Sequence, residues 1–149
     1  LALQHARPGW EVHAVDLSHG ALEVARANAA RLQLGVHFWQ GSWLEPLTGL
    51  FDAVISNPPY IAEDDAHLPA LRHEPAQALV SGADGLDDIR RIVANARPRL
   101  KPGGWVLLEH GFDQAGAVRR LLSDAGLTSV QSRTDLAGIE RCSGGRLPD

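Results

Sequence analysis

Short apolar runs alternate along this chain with stretches of helical periodicity, and that alternation leaves few folds open to it. Residues 10–16, Trp-Glu-Val-His-Ala-Val-Asp, alternate and then turn apolar, as a strand entering a core does. Ser18 suits an N-cap, and after it Leu22, Ala25, Ala29 and Leu32 recur at helical spacing up to Gly35, the expected stop. Val36-His37-Phe38-Trp39 and residues 51–56 read as two further strands. Leu86, Ile89, Ile92, Val93 and Ala96 mark the inward side of a second helix. A turn at Lys101-Pro102-Gly103-Gly104 leads into a strand at Trp105-Val106-Leu107-Leu108-Glu109. Val118, Leu121, Leu122 and Ala125 mark a helix that Gly126 stops, and two short strands near 128–132 and 139–143 close the chain. The alternation predicts an α/β fold with a mainly parallel sheet and right-handed crossovers. The strand ends at Asp16, Ser56 and Glu109 then face one edge, where such sheets bind ligands.

One of those ends carries a distinctive tetrapeptide. The apolar run Phe51-Asp52-Ala53-Val54-Ile55-Ser56 leads directly into Asn57-Pro58-Pro59-Tyr60. The Asn57 side-chain carbonyl and the Pro58 backbone carbonyl are two acceptors suited to the two N–H bonds of a planar NH2 group. Proline fixes φ and holds the residue before it extended, so both acceptors are aimed in advance. Tyr60 adds a flat wall for an amide or a base. The same letters also describe a proline-rich turn after a strand.

The chain has 149 residues, enough for one domain, here 1–149, with a core of its own. Fourteen basic and 18 acidic residues give a formal net charge of −4, which argues against electrostatic capture of nucleic acid. Cys142 is the only cysteine, so no internal disulfide forms and a reducing, cytoplasmic setting is expected. No apolar run reaches the roughly 20 residues of a membrane span. The seven histidines show no metal-ligand spacing, and no metal is expected. The chain lacks methionine and opens as though a helix were already under way, so an N-terminally truncated domain is expected. Residues 61–85 form a long loop directly after the tetrapeptide, a length usually reserved for function.

Asp16 closes a strand before a helix, where an acid accepts hydrogen bonds from ribose hydroxyls; a helix-capping role fits it equally well. Trp43, in Gly41-Ser42-Trp43, offers a surface for an adenine, and a core role fits it as well. Glu109 is either a ligand contact or a solvated strand end.

Taken in order, Ala14-Val15-Asp16, Gly41-Ser42-Trp43, Asp52 through Ile61 and Leu107-Leu108-Glu109-His110-Gly111 resemble the catalytic domain of the HemK/PrmC-type protein-(glutamine-N5) methyltransferases. The likeness extends through His67-Leu68, Arg72-His73-Glu74-Pro75 and Ser81-Gly82-Ala83-Asp84-Gly85-Leu86. It implies a Rossmann-like class I S-adenosylmethionine-dependent methyltransferase fold. It also implies methyl transfer from S-adenosylmethionine to the glutamine of the Gly-Gly-Gln motif in class I peptide release factors. Carried over by position, Asp16 binds the cofactor ribose, Trp43 lies beside the adenine, and Asn57 borders both cofactor and substrate. Asn57, Pro58 and Tyr60 form the catalytic clamp, with Pro59 lining it and Arg72 and Glu74 holding the protein substrate or the rim of the site.

The chain departs from that family in two ways. Ser42 stands where the family usually has an Asp, a stronger acceptor. The family's first strand and glycine-rich loop would lie upstream of Leu1, so the chain alone is expected not to catalyse transfer. Two rival readings are a nucleic-acid amino-methyltransferase, which uses the same clamp on an exocyclic base amine, and an inactive domain that at most binds a partner.

Overall fold

The computed structural model describes every residue except His67, Arg72, Glu74, Ala76 and Gln77, with Leu71 described by its backbone alone. The chain divides into two compact units, Leu1–Thr48 and Gly49–Asp149.

The first unit contains α1 (Ala2–Ala6), β1 (Val12–Asp16), α2 (His19–Arg31) and β2 (Val36–Gln40). β1 and β2 pair in parallel, Val12 opposite Val36 and Asp16 opposite Gln40, with α2 as the crossover. Ser18 caps α2 as expected, its Oγ accepting the Ala21 N–H at 3.2 Å. Leu22 and Ala29 form the buried side of that helix. Its end differs from the expectation. Gln33, at φ +54°, takes the left-handed position expected of Gly35. The Gln33 and Leu34 N–H groups return to the carbonyls of Ala30 and Ala29, at 3.1 and 2.9 Å. The helix thus closes in a Schellman turn two residues early, because the bonds satisfying its last carbonyls offset the strain of an unbranched residue there.

The second unit contains β3 (Phe51–Ser56), α3 (Asp87–Ala96), β4 (Leu100–Glu109), α4 (Ala115–Asp124), β5 (Thr128–Thr134) and β6 (Glu140–Arg146), with short 3₁₀ turns at Leu68–Leu71 and Arg97–Arg99. Its sheet order is β3-β4-β6-β5. β3 and β4 are parallel, whereas β6 runs antiparallel to both β4 and β5. The reversal follows from the tight connection between β5 and β6. Asp135 Oδ1 accepts the N–H groups of Ala137 and Ile139 at 2.9 and 3.0 Å, and a hairpin can only join antiparallel strands.

Alternation along β4 sets the core. Val106 and Leu108 are fully buried on the face that also buries Val54. Ile89, Ile92 and Ala96 of α3, with Val118 and Leu122 of α4, supply the facing side chains. Each large member of this set stabilises the fold by about 1.5–3 kcal/mol relative to exposure. α4 ends at Gly126 as expected, at φ +80°, and the Leu127 N–H reaches the Leu122 carbonyl at 3.1 Å. β4 begins earlier than its sequence suggests. Phe51 pairs with Leu100 and Ala53 with Trp105, so residues 101–104 are an irregularity inside the strand. Backbone bonds from Gly103 to Leu147 (3.0 Å) and from Leu147 to Gly104 (2.8 Å) hold it there. No helix among the described residues is long and apolar enough to cross a membrane.

Candidate active site

β3 stops at Ser56, and the next residues are the four singled out by sequence. Asn57 is exposed, Pro58 is buried, and Pro59 and Tyr60 are half-buried. No cis peptide bond occurs in the segment. Neither the Asn57 side chain nor the Pro58 carbonyl takes a hydrogen bond from the described residues. Two acceptors at the end of a core strand are therefore unspent, whereas most buried or half-buried carbonyls in a folded chain are paired.

Tyr60, by contrast, is held at both ends. Its backbone carbonyl accepts the Gln114 Nε2–H at 2.9 Å, and the same amide donates to the Asp84 carbonyl at 3.2 Å. Gln114 Oε1 accepts the Gly111 N–H at 2.8 Å. One side chain at the start of α4 thus ties together the clamp, the far end of the long loop and the segment after β4. At the other end, Arg141 Nη2 donates to the Tyr60 hydroxyl at 3.0 Å, and its guanidinium carbon lies 5.3 Å from the ring centroid. Gly85 makes room for this packing. A Cβ there would meet the Tyr60 carbonyl oxygen at 2.2 Å and Gln114 Nε2 at 2.8 Å.

Beside the clamp runs a polar chain that the sequence did not disclose. His110 is fully buried. Its Nδ1 lies 2.9 Å from the Gly111 carbonyl and its Nε2 lies 2.8 Å from Ser143 Oγ. Ser143 Oγ is 2.7 Å from Ser132 Oγ, which accepts from Arg119 Nη1 at 2.6 Å. Arg119 also donates to Glu140 at 2.9 Å. The Gly111 carbonyl only accepts, so His110 Nδ1 carries a proton and donates it there, and the Arg119 guanidinium only donates, so Ser132 accepts from it; the bonds joining Ser132, Ser143 and His110 Nε2 can run in either direction. Both ring nitrogens of His110 are held by hydrogen bonds, which makes it a structural group. Glu109, half-buried, pairs across the sheet with Cys142, whose thiol is pushed up by burial and by the Glu109 charge.

The loop after the clamp is closed at its base. Ile61 bridges to Val80, the Ile61 N–H reaches the Leu79 carbonyl at 2.9 Å, and the Ser81 N–H returns to Ile61 at 3.0 Å. Ser81 Oγ accepts the Asp88 N–H at 2.7 Å and donates to its carboxylate at 2.9 Å, fixing the loop to the start of α3. Arg90 hydrogen-bonds Asp84 and holds that carboxyl below the usual range. Arg72 and Glu74, expected to hold the substrate, and His67 lie outside the described residues.

In the first unit, Asp16 sits exposed at the end of β1. Its Oδ1 accepts the Ser18 N–H at 2.8 Å, and Oδ2 has no hydrogen bond among the described residues. The helix cap itself is Ser18, so Asp16 holds the N–H of the capping residue and does not cap α2. The Asp16 carbonyl accepts the Gly41 N–H at 3.1 Å, which joins the strand end to the Gly41-Ser42-Trp43 turn. Trp43 is half-buried at φ +48°, an uncommon conformation for a bulky side chain and one associated with functional positions.

The structure also gathers histidines that lie far apart in sequence. His13 and His37 are opposite one another on β1 and β2, with stacked rings 4.9 Å apart, and Glu11 Oε1 lies 3.1 Å from His13 Nε2 and 3.9 Å from His37 Nε2. Pairing across strands thus brings together an acid and two imidazoles that linear spacing cannot reveal. The protonation pattern runs against an ion, however. The Trp39 indole N–H donates to His13 Nδ1 at 3.0 Å, so a neutral His13 keeps its proton on Nε2 and gives it to Glu11.

Sequence reasoning missed Gln114, Arg141 and His110. Gln114 and Arg141 reach Tyr60 across 54 and 81 residues, so no local pattern carried the signal.

Residues 1–111 match the family model described as methyltransferase small domain. Among curated relatives, the chain is 49% identical over 152 residues to a release factor glutamine methyltransferase of Xylella fastidiosa, an alignment covering 99% of this chain and 55% of the relative. It is 53% identical over 144 residues to the protein of the same name from Bordetella pertussis, covering 94% of this chain and 53% of the relative. The chain thus spans about half the length of the curated relatives it matches. Among solved structures, a methyltransferase from Pyrococcus furiosus superposes with a TM-score of 0.76 at 17% identity, covering 99% of this chain and 68% of that one. A 16S rRNA N2 G1207 methyltransferase from Thermus thermophilus, in complex with AdoMet and guanosine, gives 0.70 at 19%, covering 99% and 34%. These two likenesses establish the Rossmann-like α/β methyltransferase fold.

Proposed function

This chain belongs to the methyltransferase small domain family, and we propose that the protein containing it transfers a methyl group from S-adenosylmethionine to the side-chain amide nitrogen of glutamine in the Gly-Gly-Gln motif of class I release factors. The observation that carries this reading is the pair of unspent acceptors, Asn57 Oδ1 and the Pro58 carbonyl, at the end of β3 and next to a fixed Tyr60. Bound S-adenosylmethionine supplies an electrophilic methyl group on a sulfonium. The donor set of the first unit fits that cofactor: Asp16 has a carboxylate oxygen for the ribose hydroxyls, and the Gly41-Ser42-Trp43 turn tied to Asp16 presents an aromatic for the adenine.

An amide nitrogen is a weak nucleophile because its lone pair is delocalised into the carbonyl. Asn57 and Pro58, each accepting one N–H, raise electron density on that nitrogen and favour its pyramidalisation. They interact most strongly as positive charge develops, so they stabilise the transition state more than the ground state. Pro59 keeps the turn stiff, and Tyr60 packs on the amide plane. No strong base is needed before transfer, because the methylated nitrogen becomes acidic and loses its proton to solvent. His110, with both ring nitrogens engaged, is given no part in it. Arg72 and Glu74 are assigned to contact with the protein substrate or the rim of the site.

A nucleic-acid amino group would fit the same acceptors. The chain's acidic balance and the shared name of its relatives at 49 and 53% identity favour the glutamine substrate. The two are separated by offering the full-length protein labelled S-adenosylmethionine with a release factor, with DNA and with RNA. Label on the Gly-Gly-Gln glutamine is the expected result, and label on nucleic acid alone overturns the reading.

A further inference from the structure

We propose that Gln114 and Arg141 are positioning residues for methyl transfer, holding Tyr60 by its backbone and by its hydroxyl so that the clamp and its aromatic wall keep one geometry. The inference rests on the function proposed above and extends it to two residues outside the clamp.

The geometry at Gln114 is that of an adapter with all of its main bonding capacity used. Both amide hydrogens are donated, to the carbonyls of Tyr60 and Asp84, and the oxygen accepts the Gly111 N–H. Those three backbone points belong to the clamp, the end of the long loop and the segment after β4, and no backbone bond from one to another does the same work among the described residues. An amide is the side chain this arrangement requires. A carboxylate of the same length offers no donor to the two carbonyls, and a hydrocarbon of the same length satisfies none of the three points. Gly85 is part of the fit, since a methyl group there would occupy the space of the bond between Tyr60 and Gln114.

Arg141 acts at the opposite end. Tyr60 follows the end of β3 and is only partly buried, and its ring turns about two bonds unless something stops it. The guanidinium donates to the hydroxyl and lies beside the ring, which fixes both torsions. The Arg141 backbone is itself anchored, its carbonyl accepting the His110 N–H at 3.0 Å. A planar substrate amide stacked on Tyr60 inherits that orientation, and a wall free to swing would lose the alignment that methyl transfer needs.

The test uses the full-length protein, with 3-fluorotyrosine placed at position 60, and the variants Gln114→Leu, Gln114→Glu, Arg141→Met and Arg141→Lys. Two readouts are taken: the 19F resonance of residue 60, which needs no substrate, and steady-state kinetics on a release factor. Gln114→Leu and Arg141→Met should shift or broaden the resonance and lower kcat by about ten- to a hundredfold. Cofactor affinity should be little changed in both; Gln114→Leu, which leaves three backbone groups without their partner, should also lower the melting temperature, whereas Arg141→Met should leave it little changed. Arg141→Lys should restore part of the loss, and Arg141→Met should add little to Tyr60→Phe, which already lacks the hydroxyl. Gln114→Glu should behave like the leucine variant. An unmoved resonance, or normal kcat with a moved one, overturns the proposal while the wild-type enzyme still methylates glutamine. Wild-type protein that methylates no glutamine overturns the functional reading instead, and the fluorine signal reports the Tyr60 contacts independently.

Discussion

Replacing Gly85 with alanine isolates how much the fold depends on close packing behind the clamp. Gly85 has φ +72°, and its added methyl would stand 2.2 Å from the Tyr60 carbonyl oxygen and 2.8 Å from Gln114 Nε2. Gly138, in the same unit, has φ +82° with nothing within 4 Å of an added Cβ. Both substitutions carry the left-handed backbone penalty of about 1–2 kcal/mol. Only Gly85→Ala must also displace a carbonyl and stretch its hydrogen bond, which adds about 1–3 kcal/mol for the overpacking. Gly85→Ala should therefore destabilise the protein by about 2–5 kcal/mol and Gly138→Ala by about 1–2. Urea denaturation of the two variants and wild type gives the comparison directly, provided the slopes agree. Equal losses for the two glycines would show that the contact behind Tyr60 is loose, and that backbone conformation alone explains the requirement for glycine.

Three further outcomes follow from the site. Asn57→Ala should lower kcat by an amount equivalent to ~2–4 kcal/mol, by analogy with losing one group that stabilises developing charge, and leave cofactor affinity nearly unchanged; calorimetry showing weakened cofactor with normal turnover would place Asn57 in the wrong role. Asp16→Ala should weaken S-adenosylmethionine binding and leave affinity for a glutamine substrate intact, and unchanged cofactor affinity would reduce Asp16 to its bond with Ser18. Cys142, with its thiol pushed up by burial and the neighbouring Glu109, should be alkylated at pH 8 more slowly than a free thiol and speed up as pH rises; a rate equal to that of free cysteine would contradict the burial.

The parts of the fold that were legible in sequence are those whose cause is local. The inward stripe of α3, the cap at Ser18, the stop at Gly126 and the strand ending in Asn57 all depend on neighbours within one or two turns. Gly35 misled because a glycine marks where a helix can end, whereas bonds to Ala29 and Ala30 decide where it does end. Lys101-Pro102-Gly103-Gly104 read as a turn, yet pairing with the distant Leu147 holds it within β4. The clamp letters were visible and their fastening was not. Gln114 and Arg141 meet Tyr60 only after the sheet has formed, and His13 meets His37 only through parallel pairing.

The buried polar chain through His110 has a consequence for how the last hairpin finds its alignment. β6 carries Cys142-Ser143-Gly144-Gly145, and a strand with paired glycines has little side-chain pattern to distinguish one alignment from the next. Ser132 and Ser143 are direct partners across β5 and β6, and their hydroxyls close the path from Arg119 to His110. A slip of one residue would turn Ser143 to the opposite face, leave His110 Nε2 without its partner in a fully buried place, and bring Gly144 opposite Ser132. Arg141 would turn over with it, away from the Tyr60 hydroxyl. Two serines thus act as a latch that admits a single alignment of the hairpin, and the same alignment presents Arg141 to the clamp.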